Sequence, residues 1–293
     1  MTDTDTPAAA SGTIQIGDAT VHRMGYGAMR ITGKGIWGPP PDHDTAITVL
    51  RTAVELGVDF IDTADSYGPE VSEDLIREAL HPYDGVTIAT KGGLTRSGPD
   101  EWRPVGRPEY LRQCVEMSLR RLDVEAIDLW QLHRIDRKVP AEEQFGFMAE
   151  MVQQGKVKAV GLSQVDVDQL SAAREVVEIA SVQNLYNLAD RSSADVVSYC
   201  EAEGIAFIPW FPIAAAQLAD GEHTQGETAL AQVAEEVGAT PAQVSLAWLL
   251  ASSPVQVPIP GTGSVEHLRE NVAAAAVELS DEQVQRLTDM VDG

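Results

Sequence analysis

Four side chains in the first half of the chain are of the types that hold, move or steer a proton: Asp62, Tyr67, Lys91 and His133. Asp62 opens the run Asp62-Thr63-Ala64-Asp65-Ser66-Tyr67-Gly68. Lys91 stands in Thr90-Lys91-Gly92, and His133 closes Gln131-Leu132-His133. A carboxylate, a phenol, an ammonium and an imidazole do acid–base chemistry when neighbours shift their pKa values toward the task. Taken singly, each has an ordinary reading. Lys91 serves as a structural ion-pair partner, His133 as a satisfied histidine and Asp62 as a turn cap. A second candidate lies further on, where Gly261-Thr262-Gly263-Ser264 opens a helical pattern. Free backbone N–H groups at such a start hold anions, although Gly/Ser loops are also ordinary turns.

These residues become a constellation only if elements bring them together. β-Branched runs at 23–28, 59–61, 86–90, 126–132, 157–161, 180–183, 205–209 and 255–258 predict buried parallel strands. Helical patterns lie between them at 44–56, 72–80, 108–122, 141–154, 167–177 and 192–203. A longer insertion follows at 227–237 and 241–251, and then helices at 265–275 and 281–291. Pro108 and Pro241 sit where a first helical turn tolerates proline, and Gly155, Gly204 and Gly238 follow helices as C-cap residues do. This alternation predicts an α/β fold, a (β/α)8 TIM barrel, with one domain over residues 13–293. A β-hairpin at 13–16 and 19–22 would plug its bottom, and the last helices form a C-terminal extension. Residues 1–12 read as a disordered tail. A doubly wound sheet would need a Gly-rich fingerprint after the first strand, and Gly25-Tyr26-Gly27 is not one. In a barrel, Asp62, Tyr67, Lys91 and His133 stand at the C-terminal ends of three neighbouring strands, at one mouth.

That arrangement resembles the aldo-keto reductases over residues 13–291. The resemblance implies reduction of an aldehyde or ketone to an alcohol, with Asp62, Tyr67, Lys91 and His133 as the catalytic tetrad. Tyr67 is then the general acid. A free phenol has a pKa of about 10, and Lys91 beside it favours the tyrosinate and lowers that value. Asp62 keeps Lys91 charged and oriented, and His133 hydrogen-bonds the substrate oxygen. By the same resemblance Ser163, Gln164 and Gln183 hold the nicotinamide carboxamide of the cofactor, and Trp210 stacks on its ring. The family usually has Asn where Gln164 stands. Gly261, Thr262, Gly263, Ser264 and His267 take the adenosine phosphate, and Glu270 and Asn271 meet the adenine. The segments Met24–Met29, 37–40, 46–51 and 258–271 are similar to the bacterial pyridoxal-reductase branch, which implies NADPH and pyridoxal. Trp37, Phe211 and Trp102 lie in loops at the predicted mouth, where they could form an apolar pocket for a flat ring.

The cofactor expectation is NADPH, with NADH the alternative. Stations where relatives carry basic residues for the 2′-phosphate are Gly261 and His267 here. Thr262, Ser264 and the helix opening offer hydroxyl and N–H donors instead. No metal is required, and no His/Cys cluster offers one. Two other functions share the fold: a nicotinamide-binding barrel acting as a regulatory subunit, and a barrel aldolase with Lys91 as Schiff-base lysine. The second needs a neutral Lys91, which Asp62 opposes.

Composition bounds the partners. The chain has 293 residues, 21 Lys+Arg and 45 Asp+Glu, a net charge of −24. Such a charge repels nucleic acid, and no apolar run approaches the roughly 20 residues of a membrane span. The expected partner is a small-molecule carbonyl compound. Lysine occurs only at Lys34, Lys91, Lys138, Lys156 and Lys158, and acidic pairs such as Glu142-Glu143, Glu235-Glu236 and Asp281-Glu282 crowd the helices. That pattern predicts a halophilic acidic surface, for a salt-rich cytosol where screening removes self-repulsion. The two cysteines, Cys114 and Cys200, read as buried thiols. With no apolar stretch near Met1, they point to a reducing cytoplasm.

Overall fold

The computed structural model describes residues 6–213 and 224–290. Positions 1–5 of the expected tail and 291 of the expected last helix lie outside the described residues. In chain order the barrel strands are β3 (Tyr26–Gly27), β4 (Phe60–Asp62), β5 (Thr87–Gly92), β8 (Ile127–Leu132), β9 (Val157–Ser163), β10 (Ile179–Gln183) and β11 (Ala206–Phe207). They form one parallel sheet in sequence order. The eighth station, residues 255–258, closes the ring without a full ladder. Phe207 N donates to Val255 O, Val257 N donates to Phe207 O, and Gly25 N donates to Pro258 O at 3.0 Å. Pro258 and Pro260 lack N–H groups, so this strand cannot extend its pairing.

The barrel interior explains itself by period two. Phe60, Ala89, Leu129, Ala159, Ala206, Val257 and Ile259 point inward and pack as one cluster. Ile16 and Val21, from the hairpin of β1 (Thr13–Ile16) and β2 (Ala19–His22), join that cluster from below as the expected plug. The outward residues of the same strands, among them Trp130, Val160, Leu162, Val182 and Phe207, pack under the surrounding helices. Each fully buried large apolar side chain contributes on the order of 1.5–3 kcal/mol.

The helices are α1 (His43–Glu55), α2 (Val71–Leu80), α3 (Pro108–Leu122), α4 (Ala141–Gln153), α5 (Val167–Arg174), α6 (Ala194–Glu203), α7 (Thr224–Val237), α8 (Pro241–Ser252), α9 (Val265–Ala273) and α10 (Asp281–Asp289). Their starts are set locally. Asp166 with Gln169 and Thr240 with Gln243 form capping boxes, and Pro108 and Pro241 occupy first turns. Two features differ from the sequence expectation. Pro7–Ser11 is a 3-10 turn rather than tail: Ala8 is buried and its N–H donates to Leu56 O, while Ser11 Oγ accepts from Met24 N. Small residues that resemble linker composition are what let this segment lie flat on the barrel. The second is a hairpin, β6 (Leu94–Arg96) with β7 (Trp102–Pro104), inserted between β5 and α3.

Candidate active site

The site is the next layer of the same inward-facing rows. Two residues above Phe60 stands Asp62, above Ala89 Lys91, above Leu129 Gln131 and then His133, above Ala159 Gly161 and Ser163. Ser181 leads to Gln183 and Ile208 to Trp210 by the same step. Register puts Lys91 opposite Gln131 and Gln183 opposite Ser163. The apolar layer ends where these polar residues begin, so the fold delivers all of them to one end of the barrel.

Lys91 is fully buried. Its Nζ donates to Asp62 Oδ1 at 2.6 Å, to Thr63 O at 2.8 Å and to Tyr67 Oη at 3.4 Å. Asp62 Oδ2 accepts from the side-chain amides of Gln131 at 3.0 Å and Gln183 at 2.9 Å. The carboxylate is thus satisfied on both oxygens. Burial opposes the charge on Lys91, but Asp62 and Tyr67 outweigh it and its pKa is raised. Tyr67 moves against the sequence expectation: burial raises its pKa, and the opposing pull of Lys91 does not reverse it. The phenol is therefore held protonated. His133 lies 5.9 Å from Tyr67, ring to ring, and its Nδ1 is 3.3 Å from Ser66 Oγ. Burial first, then the charges of Lys91, Arg134 and Arg96, push its pKa well down, so the imidazole is neutral.

A cavity of about 580 Å³ opens over this cluster, with Tyr67, His133, Ser163, Gln183 and Trp210 in its wall. On its far side the backbones of the first and eighth stations nearly touch. A Cβ on Gly27 would meet Ile259 O at 2.7 Å, and one on Gly261 would meet Gly27 O at 2.6 Å. Only glycine permits this approach, and both glycines line the cavity. Tyr26 Oη donates to Thr262 O and fixes the loop. Thr262 Oγ1 accepts from Ser264 N, and Ser264 Oγ accepts from His267 N, so both hydroxyls keep their own proton to donate. His267 is exposed beside Gly263 and Arg269, Glu270 accepts from Thr240 Oγ1, and Asn271 is buried. The free hydroxyls and backbone N–H groups that open α9 could hold an anion, and Ser163 and Trp210 could take a flat amide-bearing ring.

Several placements differ from what the residues suggested. The Gln183 amide nitrogen donates to Asp62. Gln164, at φ 56°, turns away from the cavity wall. Its Oε1 accepts from Trp210 Nε1 and Leu185 N, both at 2.7 Å, so Gln164 orients Trp210. Trp37 does not line the cavity. Its ring lies 5.7 Å from the Arg96 guanidinium, which also lies over the Trp102 ring at 3.6 Å. Trp102, from β7, and Phe211 contribute to the cavity's apolar lining together with Leu94 and Ile213. Three residues escaped sequence reasoning. Gln131 was the polar residue one step before His133, a position that period two marks as inward. Arg30 packs against the Gly261 station, its Cγ 3.6 Å from where a Cβ would sit. Arg134 lines the cavity beside His133.

A closed parallel barrel whose mouth holds a buried Lys–Asp pair against a tyrosine and a neutral histidine has the groups a carbonyl oxidoreductase needs. The chain belongs to the aldo/keto reductase family, which its residues 23–292 match. It is 52% identical over 280 residues to an uncharacterized oxidoreductase of Schizosaccharomyces pombe, covering 96% of this chain and 90% of that protein. It is 44% identical to the pyridoxine 4-dehydrogenase of Escherichia coli, covering 95% of this chain and 98% of that one. Among solved structures, a thermostable aldo-keto reductase in complex with the inhibitor epalrestat superposes with a TM-score of 0.83 at 30% identity, covering 95% of this chain and 99% of that one. A Klebsiella pneumoniae aldo-keto reductase in complex with NADPH gives 0.80 at 25% identity, with 95% and 94% covered.

Proposed function

We propose that the protein reduces an aldehyde to the alcohol with NADPH, and that pyridoxal, going to pyridoxine, is among its substrates. The observation that carries the reading is the buried contact of Lys91 Nζ with both Asp62 and Tyr67. NADPH, when bound, supplies hydride to the carbonyl carbon. The chain's own part is the proton. Tyr67, protonated at neutral pH, gives its proton to the carbonyl oxygen as negative charge develops there. The Lys91 ammonium stabilises the tyrosinate left behind. In the tautomer that accepts from Ser66 at Nδ1, neutral His133 carries its proton on Nε2 and donates it in a hydrogen bond to the same oxygen. The cavity wall of Gly27, Gly261, Ser163 and Trp210, with the opening of α9 following Gly261 in sequence, suits an extended dinucleotide. Arg30 and His267 would favour the additional 2′-phosphate of NADPH. The pyridoxal reading is supported by the kinship with a pyridoxine 4-dehydrogenase and by the flat wall of Trp102 and Phe211. A charged, immobilised Lys91 speaks against a Schiff-base aldolase.

Turnover of an aldehyde panel including pyridoxal, with NADPH and NADH, tests the activity and separates an enzyme from a regulatory nicotinamide-binding subunit. Tyr67→Phe should lose at least roughly 10²-fold in kcat while its NADPH affinity, read by fluorescence titration, is unchanged. Near wild-type turnover in that variant would remove Tyr67 as the acid.

A further inference from the structure

Arg134 is the charged group of the cavity that the proton chemistry leaves unused. It follows His133 at the end of β8, and its half-buried side chain lines the cavity wall. Nη1 donates to His133 O at 2.5 Å and to Ser163 Oγ at 2.9 Å. Both acceptors are uncharged. Arg112, Arg121, Arg174 and Arg286 each reach a glutamate, whereas Arg134 meets no carboxylate among the described residues. Its Nε and Nη2, which form the side-on fork that matches two carboxylate oxygens, find no acceptor there either.

The surrounding charges sharpen the point. Asp62 is taken up by Lys91 and two amides, and His133 is neutral. Arg96, the next cation along, adds to the positive potential rather than offsetting it. Tyr67, whose charge would act on Arg134, is a phenol rather than a standing anion. The mouth of a chain carrying −24 overall thus holds in Arg134 a partly desolvated guanidinium with no carboxylate partner among the described residues. Burial already disfavours its charged form, and a ligand anion would relieve that cost.

We infer that Arg134 receives an anionic oxygen of the substrate, so that the enzyme selects carbonyl compounds carrying a carboxylate or phenolate on the same small framework as the carbonyl. The inference rests on the reductase reading and narrows its substrate class. Pyridoxal has such an oxygen, the phenolic one beside its aldehyde. The competing role is a grip on the nicotinamide carboxamide together with Ser163.

Three proteins decide between them: wild type, Arg134→Met and Arg134→Lys. Each is assayed with NADPH on 2-, 3- and 4-formylbenzoate against the corresponding methyl esters. Benzoate binding to the cofactor-free protein is read by tryptophan fluorescence, since Trp102 and Trp210 line the cavity. NADPH affinity is titrated separately. In wild type at least one acid should exceed its ester in kcat/KM by roughly tenfold or more, the size of one charge-assisted hydrogen bond. Arg134→Met should erase that ratio and weaken benzoate by a similar factor. Its ester turnover should stay within about threefold and its NADPH affinity within about twofold, both small beside the effect of a lost charged bond. Arg134→Lys should retain part of the ratio. Should Arg134→Met fail to fold, the wild-type ratios and Arg134→Lys decide alone. The inference is overturned by acid and ester turned over equally in wild type, or by equal losses on both in the variant. Weakened NADPH binding with the acid preference intact would assign Arg134 to the cofactor instead. If wild type reduces no aldehyde at all, the reductase reading falls and takes this inference with it. Neutral esters reduced without any preference for the acids would remove the inference alone.

Discussion

Asp65 sits three residues after Asp62 in the loop that carries Tyr67, and it lacks the lysine and paired amides that Asp62 has. It is buried, its Oδ1 has no hydrogen-bond partner among the described residues, and burial followed by repulsion from Glu73 raises its pKa to about 7. The folded state thus keeps a proton that the unfolded chain releases near 4. Stability therefore falls as pH rises from about 4 to about 7 and is level above that, as far as this group is concerned. Asp65→Asn removes the dependence. The variant should gain melting temperature over wild type at pH 8 but not at pH 4.5, and a constant difference at both would show the carboxyl is solvated. A second residue-scale prediction concerns the cofactor. Arg30 stands beside a Gly261 that brings no charge, so Arg30→Ala should weaken NADPH roughly tenfold, the size of one lost charged hydrogen bond, and NADH by less than half that factor. Equal weakening of both, by fluorescence titration, would place Arg30 on a phosphate the two cofactors share. The convergence of Asp62, Tyr67, Lys91 and His133 was legible because polar types at strand ends contrast with the apolar rows beneath them. Arg30 and Arg134 were not, since an arginine in a loop reads as solvated until the opposite strand or wall is known. The direction of the Tyr67 shift was also hidden, because Lys91 is visible in the sequence and the depth of burial is not.

Elements divide by the range of the forces that make them. Long helices were legible to within a few residues because caps and apolar stripes are local, as Asp166, Thr240 and Pro108 illustrate. The short first and eighth strands were harder, since their pairing comes from neighbours distant in sequence. The β6–β7 hairpin escaped altogether. Its strands have three residues each, and the turn at 97–101 looks like any Gly-Pro loop. What holds it is Arg96, which donates to Ile36 O, Ser66 O and Gly35 O, to Glu101 O within the turn, and lies over the Trp102 ring with Trp37 also near. That side chain links the hairpin, the loop after β3 and the Tyr67 loop. Arg96→Ala should cost about 1–3 kcal/mol in urea unfolding, the range for a lost charged hydrogen bond, and free Trp102 to leave the cavity wall. The consequence in catalysis is a KM for aromatic aldehydes raised about tenfold with NADPH affinity unchanged, because lost packing against the ring acts on substrate alone. An unaltered KM would mean that the hairpin holds its position by its own backbone pairing.

For the whole molecule the dominant quantity is charge. With 45 acidic and 21 basic side chains, pairing every cation with one carboxylate would still leave 45 − 21 = 24 without a partner. Many of them are exposed and adjacent, including Glu142 with Glu143, Glu235 with Glu236 and Asp281 with Glu282. Glu142, Glu143, Asp281 and Glu282 stand in first turns, where the helix dipole favours them. Glu235 and Glu236 stand at the end of α7, where it does not, and Glu236 is held by Arg286. Local placement therefore removes part of the repulsion, and the remainder acts between helices around the whole barrel. Compact packing brings those charges closer than the unfolded chain does, so their repulsion subtracts from stability. Salt shortens the reach of each charge from about 30 Å at 0.01 M to about 3 Å at 1 M. The melting temperature should accordingly rise by at least about 3 °C between low and molar KCl, since about 1 kcal/mol moves a domain of this size by about 2–4 °C. NaCl should act equally, because screening depends on ionic strength and not on the cation. A melting temperature that stays flat or falls over this range would show that the acidic surface is already compensated by its own geometry. A rise with KCl alone would point to bound potassium rather than to screening.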